Sequence, residues 1–371
     1  MLIEPFILAA AAATTLTVAY CASLFAARSR NILDHPNDRS SHTAATPRAG
    51  GLAIIGGWCA GLFVVSAFSA NAGLAADIAL LAAAALCALL VGLVDDRVTL
   101  APAWKFAGQI AVAALFIASF GSLQSAPLPH FGNVALGPVW GAVVTGLWIV
   151  GFMNAFNFMD GANGLAGGAA ATGLAWIAVG ATFTGAPFVA AAALLLALAA
   201  SGFLPQNLRR GRLFMGDNGS LSLGFLIAAL AVIGANASGG RMSALLVPVV
   251  FLPLLFDVAL TLASRMIRKR NILQAHREHL YQLMMRSGAS HASVAVVYMG
   301  AVSLSAAAAF LMLALPAPLQ WIAPLMLALL FSLGAAMVYR RAFRLGLLKD
   351  VPPAPETPAS EADDASLQAA E

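Results

Sequence analysis

The chain has 371 residues, 61% of them hydrophobic and 10% charged, against about 45–50% and about 25% in an ordinary soluble domain, which excludes a water-soluble globular protein. Twenty Lys and Arg against 16 Asp and Glu leave a net charge of +4, too small and too dispersed for a nucleic-acid binder. Cys21, Cys59 and Cys87 each lie inside an apolar block, where a thiol is small hydrophobic filler and no disulfide framework is implied.

Apolar stretches of about twenty residues, the length a helix needs to cross about 30 Å of hydrocarbon, recur near 5–27, 49–70, 75–94, 105–122, 137–156, 165–183, 186–204, 219–237, 242–263, 294–315 and 319–338. The pattern predicts an all-α, polytopic integral membrane protein of about eleven transmembrane helices. The first block lacks a basic leader and a convincing cleavage site, so it reads as a retained helix with the N-terminus periplasmic and the C-terminus cytoplasmic. With that parity nineteen of the 20 basic residues fall on the inner side and only Arg241 outside, a strong positive-inside signal. Residues 1–345 then form one membrane domain with cytoplasmic loops. Residues 346–371, acidic and Pro-rich, are expected to be a disordered tail.

Polar groups near a membrane are costly, so those present are functional candidates. In chain order the first is the loop 36–51, where Arg39, His42 and Arg48 alternate with hydroxyls and turn formers, a composition suited to gripping phosphate oxygens. Asp95 and Asp96 close the third span, Asp160 closes the fifth and Asp217 opens the eighth. A helix-capping role suits Asp217. The other three face the negative end of a helix dipole, a repulsion that a cation would relieve, and oxygen ligands suit a hard divalent ion such as magnesium. Asn154, Asn157 and Asp160 recur at three-residue spacing on one face of a helix end, as contacts to a polar ligand or as partners in a helix–helix hydrogen bond. Arg209, Arg210 and Arg212 read as positive-inside anchors or phosphate contacts. In 213–220 two glycines precede a helix N-terminus, whose free N–H groups suit phosphate or take an ordinary Asn or Ser cap. Asp257, inside the ninth span, is expected to be structural and paired with Arg265 or a neighbouring helix. His276 and His279, with Arg277 beside them, are expected to share a helical face; the order differs from the H-E-x-x-H zinc pattern, and an amphipathic surface helix is the plainer reading.

Together these motifs resemble the polyprenyl-phosphate N-acetylhexosamine-1-phosphate transferases, a family that includes initiators of O-antigen, common antigen and teichoic acid linkage and the phospho-MurNAc-pentapeptide translocase. The resemblance rests on RSSHTAATPRAGG at 39–51, DD at 95–96, NAFNFMDGANG at 154–164, FMGDNGSLSLGF at 214–225 and HREHLYQ at 276–282. It implies a multi-pass enzyme of the bacterial inner membrane with its active site facing the cytoplasm. The implied cofactor is magnesium or manganese, and the implied reaction moves a sugar phosphate from a UDP-N-acetylhexosamine to undecaprenyl phosphate with release of UMP. Asp95, Asp96, Asp160 and Lys105 match catalytic positions. Asp217 and Asp160 match metal ligands. Asn154, Asn157, Asn163, Asn207, Phe214, His276, Arg277 and His279 match substrate contacts, with Phe214 as the aromatic that stacks on uracil. Asn163 stands where many members carry an aspartate, and HREH differs from the triple histidine of the peptidoglycan translocase. Both departures look more like the branch that starts O-antigen or capsular chains on GlcNAc, FucNAc or QuiNAc; the MurNAc-pentapeptide reaction is the alternative. A homodimer is the one protein partner to consider, and no nucleic acid is expected.

For the chemistry, one in-line displacement by the lipid phosphate and a two-step route through an aspartyl phosphate are both open. From a different class, a secondary transporter would place its ionisable residues near the bilayer midplane within internal repeats. Here the acids cluster at one edge and no repeat is visible.

Overall fold

The computed structural model describes residues 3–29, 32–34, 45–69, 71–129, 131–208, 211–239, 241–271 and 276–348. Arg39, His42, Arg209, Arg210 and the tail from 349 onward lie outside the described residues.

Local chemistry sets the helix boundaries. Helix α1 (Pro5–Ala26) starts on a proline, whose missing N–H would go unpaired in a first turn in any case. After it β1 (Leu33–Asp34) pairs antiparallel with β2 (Thr46–Pro47), Leu33 opposite Pro47. Helix α2 (Gly50–Phe68) follows, then α3 (Ala72–Val98). The Asn71 side chain caps α3, accepting from the N–H groups of Gly73 at 3.0 Å and Leu74 at 3.2 Å, as Asn does at such positions. Helix α4 (Pro102–Phe120) again opens on proline, and a hairpin of β3 (Ser125–Leu128) and β4 (Gly132–Ala135) leads to α5 (Gly137–Met159). Then come α6 (Leu165–Phe183), α7 (Pro187–Leu208) and α8 (Asp217–Ala237).

The expected span 242–263 is realised as two pieces, α9 (Leu246–Val250) and α10 (Leu252–Ile267), hinged at Phe251. Pro253 has no N–H to give to the carbonyl four residues back, and the chain turns there, with Leu254 N–H on the Phe251 carbonyl at 3.1 Å. The short α11 (Leu280–Arg286) precedes α12 (His291–Leu313) and α13 (Ile322–Arg344). Ten helices among the described residues are long and apolar enough to cross a membrane, and each overlaps an expected span. Phe25, Leu147, Leu311 and Met337 stand exposed on outward faces, a surface that suits lipid and not water.

Helix α8 is the axis of the packing. Every residue from Asn218 to Val232 is buried, the pattern of a helix surrounded on all sides, and α2, α3 and α5 pack along it. Lipid gives apolar helices no hydrophobic reason to associate, so close contact depends on small residues. Gly51 of α2 meets Gly219 of α8, Gly92 of α3 lies on the Asp217–Asn218 backbone, and Gly224 lies on Met153 of α5. Indoles tie further pairs: buried Trp58 donates through Nε1 to the Ala192 carbonyl at 3.0 Å and half-buried Trp148 through Nε1 to that of Ala228 at 3.3 Å.

A Cβ at position 92 would overlap the Asp217 carbonyl, so Gly92→Val must push α3 off α8. The variant is expected to lose about 1–3 kcal/mol of stability, read as a lower thermal midpoint in detergent, whereas Gly56→Ala, where nothing lies near the added Cβ, should melt like the parent.

Candidate active site

Asp95 and Asp96 occupy the last turn of α3, Asp160 follows α5 directly, and Asp217 is the first residue of α8, as the hydropathy pattern places them. Asp95 and Asp96 have partners within the protein itself. Asp96 reaches the amino end of α8: its Oδ1 accepts from Asp217 N–H at 3.0 Å, and its Oδ2 from Asn218 N–H at 3.0 Å and Asn218 Nδ2 at 2.6 Å. The free N–H groups that the sequence offers to phosphate are thus taken by a side chain 122 residues away. A carboxylate disfavoured at the negative end of one helix is favoured at the positive end of another. Asn218 also donates to the Arg48 carbonyl at 2.9 Å. The loop before α2 joins the same corner, through Phe214 N–H on the Pro47 carbonyl at 2.8 Å and Gly50 N–H on the Phe214 carbonyl at 2.9 Å.

The cation beside Asp95 is Lys105. Its Nζ lies 2.8 Å from Asp95 Oδ2, pairs with Asp217 Oδ2 and donates to Asn157 Oδ1 at 3.2 Å. Asp95 Oδ1 accepts from Leu100 N–H at 2.7 Å, while Asn157 Nδ2 donates to Asp217 Oδ1 at 2.8 Å and to Ser220 Oγ at 3.1 Å. Asn154 faces elsewhere. Its amide exchanges hydrogen bonds of 2.6 and 3.3 Å with fully buried Gln109 of α4, the helix–helix partnership of the two readings its spacing offers, and it does not line the cavity described next. Sequence reasoning missed Gln109, although an amide one turn after Lys105 in an apolar span is the signal that could have found it.

A cavity of about 570 Å³ opens beside this network, within the usual range for small-molecule sites. Asp34, Asp160, Asn163 and Asp217 line it, Arg48, Arg277 and Arg286 supply positive charge, Arg48 within an ion pair to Asp34 at 2.6 Å, and Phe214 supplies an aromatic face. Asn207 lines it and also holds it together, accepting from Gly164 N–H at 2.6 Å and donating to the Leu213 carbonyl at 2.9 Å. Burial, then the charges of Asp217 and Asp96, push the Asp160 carboxyl well above the usual range, with Arg48 opposing. Of the three acids lining this space Asp34 is paired with Arg48, and the other two, Asp160 and Asp217, fit a hard cation. Among the described residues no three His, Cys, Asp or Glu converge on one point, so such an ion would complete its shell with water and substrate oxygens, as magnesium commonly does.

The histidine motif departs from the expected helical face. Residues 276–279 precede α11, with His279 extended at its N-cap and its N–H on Gln282 Oε1 at 3.2 Å. The anchor is Asp257. Fully buried in α10, it accepts from Leu280 N–H at 2.8 Å, Tyr281 N–H at 3.2 Å and Tyr298 hydroxyl at 2.5 Å, with His279 Nδ1 3.2 Å away. Arg265 is not its partner: it pairs with Glu278 at 3.1 Å and donates to the Asn271 carbonyl at 2.6 Å. His279 is therefore buried in this anchor, Arg277 reaches the cavity, and neither His276 nor His279 lines it. Burial, then neighbouring His279 and Arg265, hold His276 down at about 4, so the ring is neutral at physiological pH. His291, whose Nδ1 accepts from Asn163 N–H at 3.1 Å, lines the cavity and had no signal in the sequence.

The glycosyl transferase family 4 model matches residues 51–235, which span the aspartate pair, the asparagine segment and the α8 amino end. A Bacillus subtilis protein named "probable undecaprenyl-phosphate N-acetylglucosaminyl 1-phosphate transferase" is 32% identical over 271 residues, covering 72% of this chain and 74% of the relative. The decaprenyl-phosphate N-acetylglucosaminephosphotransferase of Mycobacterium tuberculosis is 32% identical over 306 residues, 74% of each chain. The phospho-N-acetylmuramoyl-pentapeptide-transferase of Staphylococcus haemolyticus is 31% identical over 208 residues, 51% of this chain and 62% of that one.

Replacing Asp257 by Ala leaves several buried donors without an acceptor, a loss of about 3–5 kcal/mol when a buried network is broken this way. The expected result is accelerated amide hydrogen exchange over 279–286, with exchange in α2 and α3 unchanged.

Proposed function

The chain belongs to glycosyl transferase family 4, and on that premise we propose that it is a polyprenyl-phosphate N-acetylhexosamine-1-phosphate transferase, using a UDP-sugar donor and undecaprenyl phosphate and releasing UMP. The donor is of the GlcNAc, FucNAc or QuiNAc type, and the product starts an O-antigen or other surface polysaccharide at the cytoplasmic face of the inner membrane. The observation that carries the reading is Asp217. It stands at the amino end of the central helix, bonded by Lys105 and Asn157, at the wall of a cavity that also holds Asp160, three arginines and an aromatic ring.

Phosphoryl transfer asks mainly for positioning and charge neutralisation. Arg277 and Arg286, with Arg48 in its pair with Asp34, supply positive charge to a diphosphate in the cavity, and Phe214 offers a stacking face to the base. Asp217 and Asp160 would hold magnesium, which when bound neutralises charge on the diphosphate. The acceptor is a phosphate monoester, largely dianionic at neutral pH, so it needs no strong base. Both oxygens of Asp95 and both of Asp96 already accept hydrogen bonds or an ion pair. A carboxylate engaged in this way is a poor nucleophile, which favours direct in-line attack over an aspartyl phosphate. Asp95 then acts by holding Lys105 and Asp96 by holding α8.

Purified protein incubated with undecaprenyl phosphate, magnesium and UDP-GlcNAc, UDP-FucNAc, UDP-QuiNAc or UDP-MurNAc-pentapeptide is expected to release UMP with one of the first three. Asp217→Ala should lose a factor of about 10² or more, the scale for removing a preorganised electrostatic group. Turnover of UDP-MurNAc-pentapeptide alone would establish the peptidoglycan reaction instead, and no binding of any UDP-sugar by folded protein would favour a transporter.

Direct displacement also predicts no exchange of labelled UMP into UDP-sugar when the lipid acceptor is absent. Exchange at a rate near turnover would establish the two-step route.

A further inference from the structure

On the face that carries the main cavity, four arginines have local partners. Arg265 and Arg270 pair with Glu278, Arg286 donates to the Arg277 and Leu347 carbonyls, and Arg341 donates to that of Ser287. Arg268, just past α10, and Arg340 and Arg344, one turn apart on α13, differ. Their guanidinium groups make no hydrogen bond or ion pair with any described residue, and all three line one cavity of about 510 Å³ between the two helices. An arginine that merely anchors a helix end reaches for water on its own. Here three such groups from two helices line one concave space, a concentration of positive charge that favours an anion. Leu260, two turns before Arg268, and Phe343 also line it, so the space runs from the charged helix ends toward the apolar zone.

We propose that this groove binds the phosphodiester headgroup of an anionic bilayer phospholipid. A free phosphate shares the charge but has no use for the apolar floor, and a zwitterionic lipid shares the floor but not the charge. A phosphate at the depth where spans end in arginine is the group that basic pockets between transmembrane helices recognise. None of the residues lining this groove lines the main cavity, so the site is separate from the one proposed to be catalytic.

The test uses the full chain, delipidated in detergent and titrated with phosphatidylglycerol or phosphatidylcholine under native mass spectrometry. One phosphatidylglycerol is expected to be retained in preference to phosphatidylcholine. Each of Arg268→Gln, Arg340→Gln and Arg344→Gln should weaken its retention roughly fivefold, and the triple variant should abolish the preference while keeping the parental thermal midpoint in phosphatidylcholine. Should the triple variant fail to fold, the single variants carry the test. Equal retention by the variants, or no preference between the lipids, overturns the proposal. Displacement of phosphatidylglycerol by millimolar inorganic phosphate makes the groove a free-anion site and overturns it as well. If the chain turns over polyprenyl phosphate, its KM for that acceptor should be the same in the triple variant. A several-fold rise in that KM would reassign the groove to the acceptor.

Discussion

The structure hangs on two helix ends of opposite polarity brought together. The carboxyl end of α3 presents two aspartates where the dipole disfavours them, and the amino end of α8 presents N–H groups that need acceptors. Asp96 answers both needs at distances of 2.6–3.0 Å. That contact is possible only because Gly92 lets the α3 backbone lie on the Asp217–Asn218 backbone. With α8 placed in this way, Asp217 projects toward Lys105, whose position is fixed from the other side by Asp95. Asn157 reaches Asp217 from α5, so four helices meet at one carboxylate.

A second buried acid repeats the principle. Asp257 in α10 accepts the first N–H groups of α11, as Asp96 does for α8, and so fixes the short helix whose Gln282, Met285 and Arg286 close the far wall of the cavity. In both cases a carboxylate that would be expensive in a membrane span is satisfied by the orphan donors of another helix. The polar residues of this chain therefore divide into a set that assembles the site and a set that faces its interior. The first holds Asp95, Asp96, Asn154, Gln109 and Asp257; the second holds Asp160, Asn163, Asp217, Arg48 and Arg277.

The division was not legible in the sequence, although much else was. Spans read as apolar blocks coincide with the helices because hydropathy and length are local properties, and the break between α9 and α10 was available in Pro253. Membership of the polar corner was also legible, since acids and amides at span ends stand out against apolar surroundings. Partnership was not. Asp96 with Asn218 and Gln109 with Asn154 are separated by 122 and 45 residues, and no periodicity links them. The helical face expected for His276 and His279 failed for a related reason: spacing of three describes a helix only where the backbone is helical, and here Asp257 draws the amino end of α11 to Leu280.

Asn163 shows how the charge of the cavity constrains its chemistry. Asp160 already faces the negative charges of Asp217 and Asp96 with Arg48 as the opposing cation, and its carboxyl is pushed upward as a result. A further carboxylate lining the same space at position 163 would add to that repulsion and would need further cationic compensation. With an amide there, the position lines the cavity without charge, and its backbone N–H goes to His291. For the proposed reaction, an uncharged position 163 limits the acid load that a divalent ion and the arginines would have to offset beside a diphosphate.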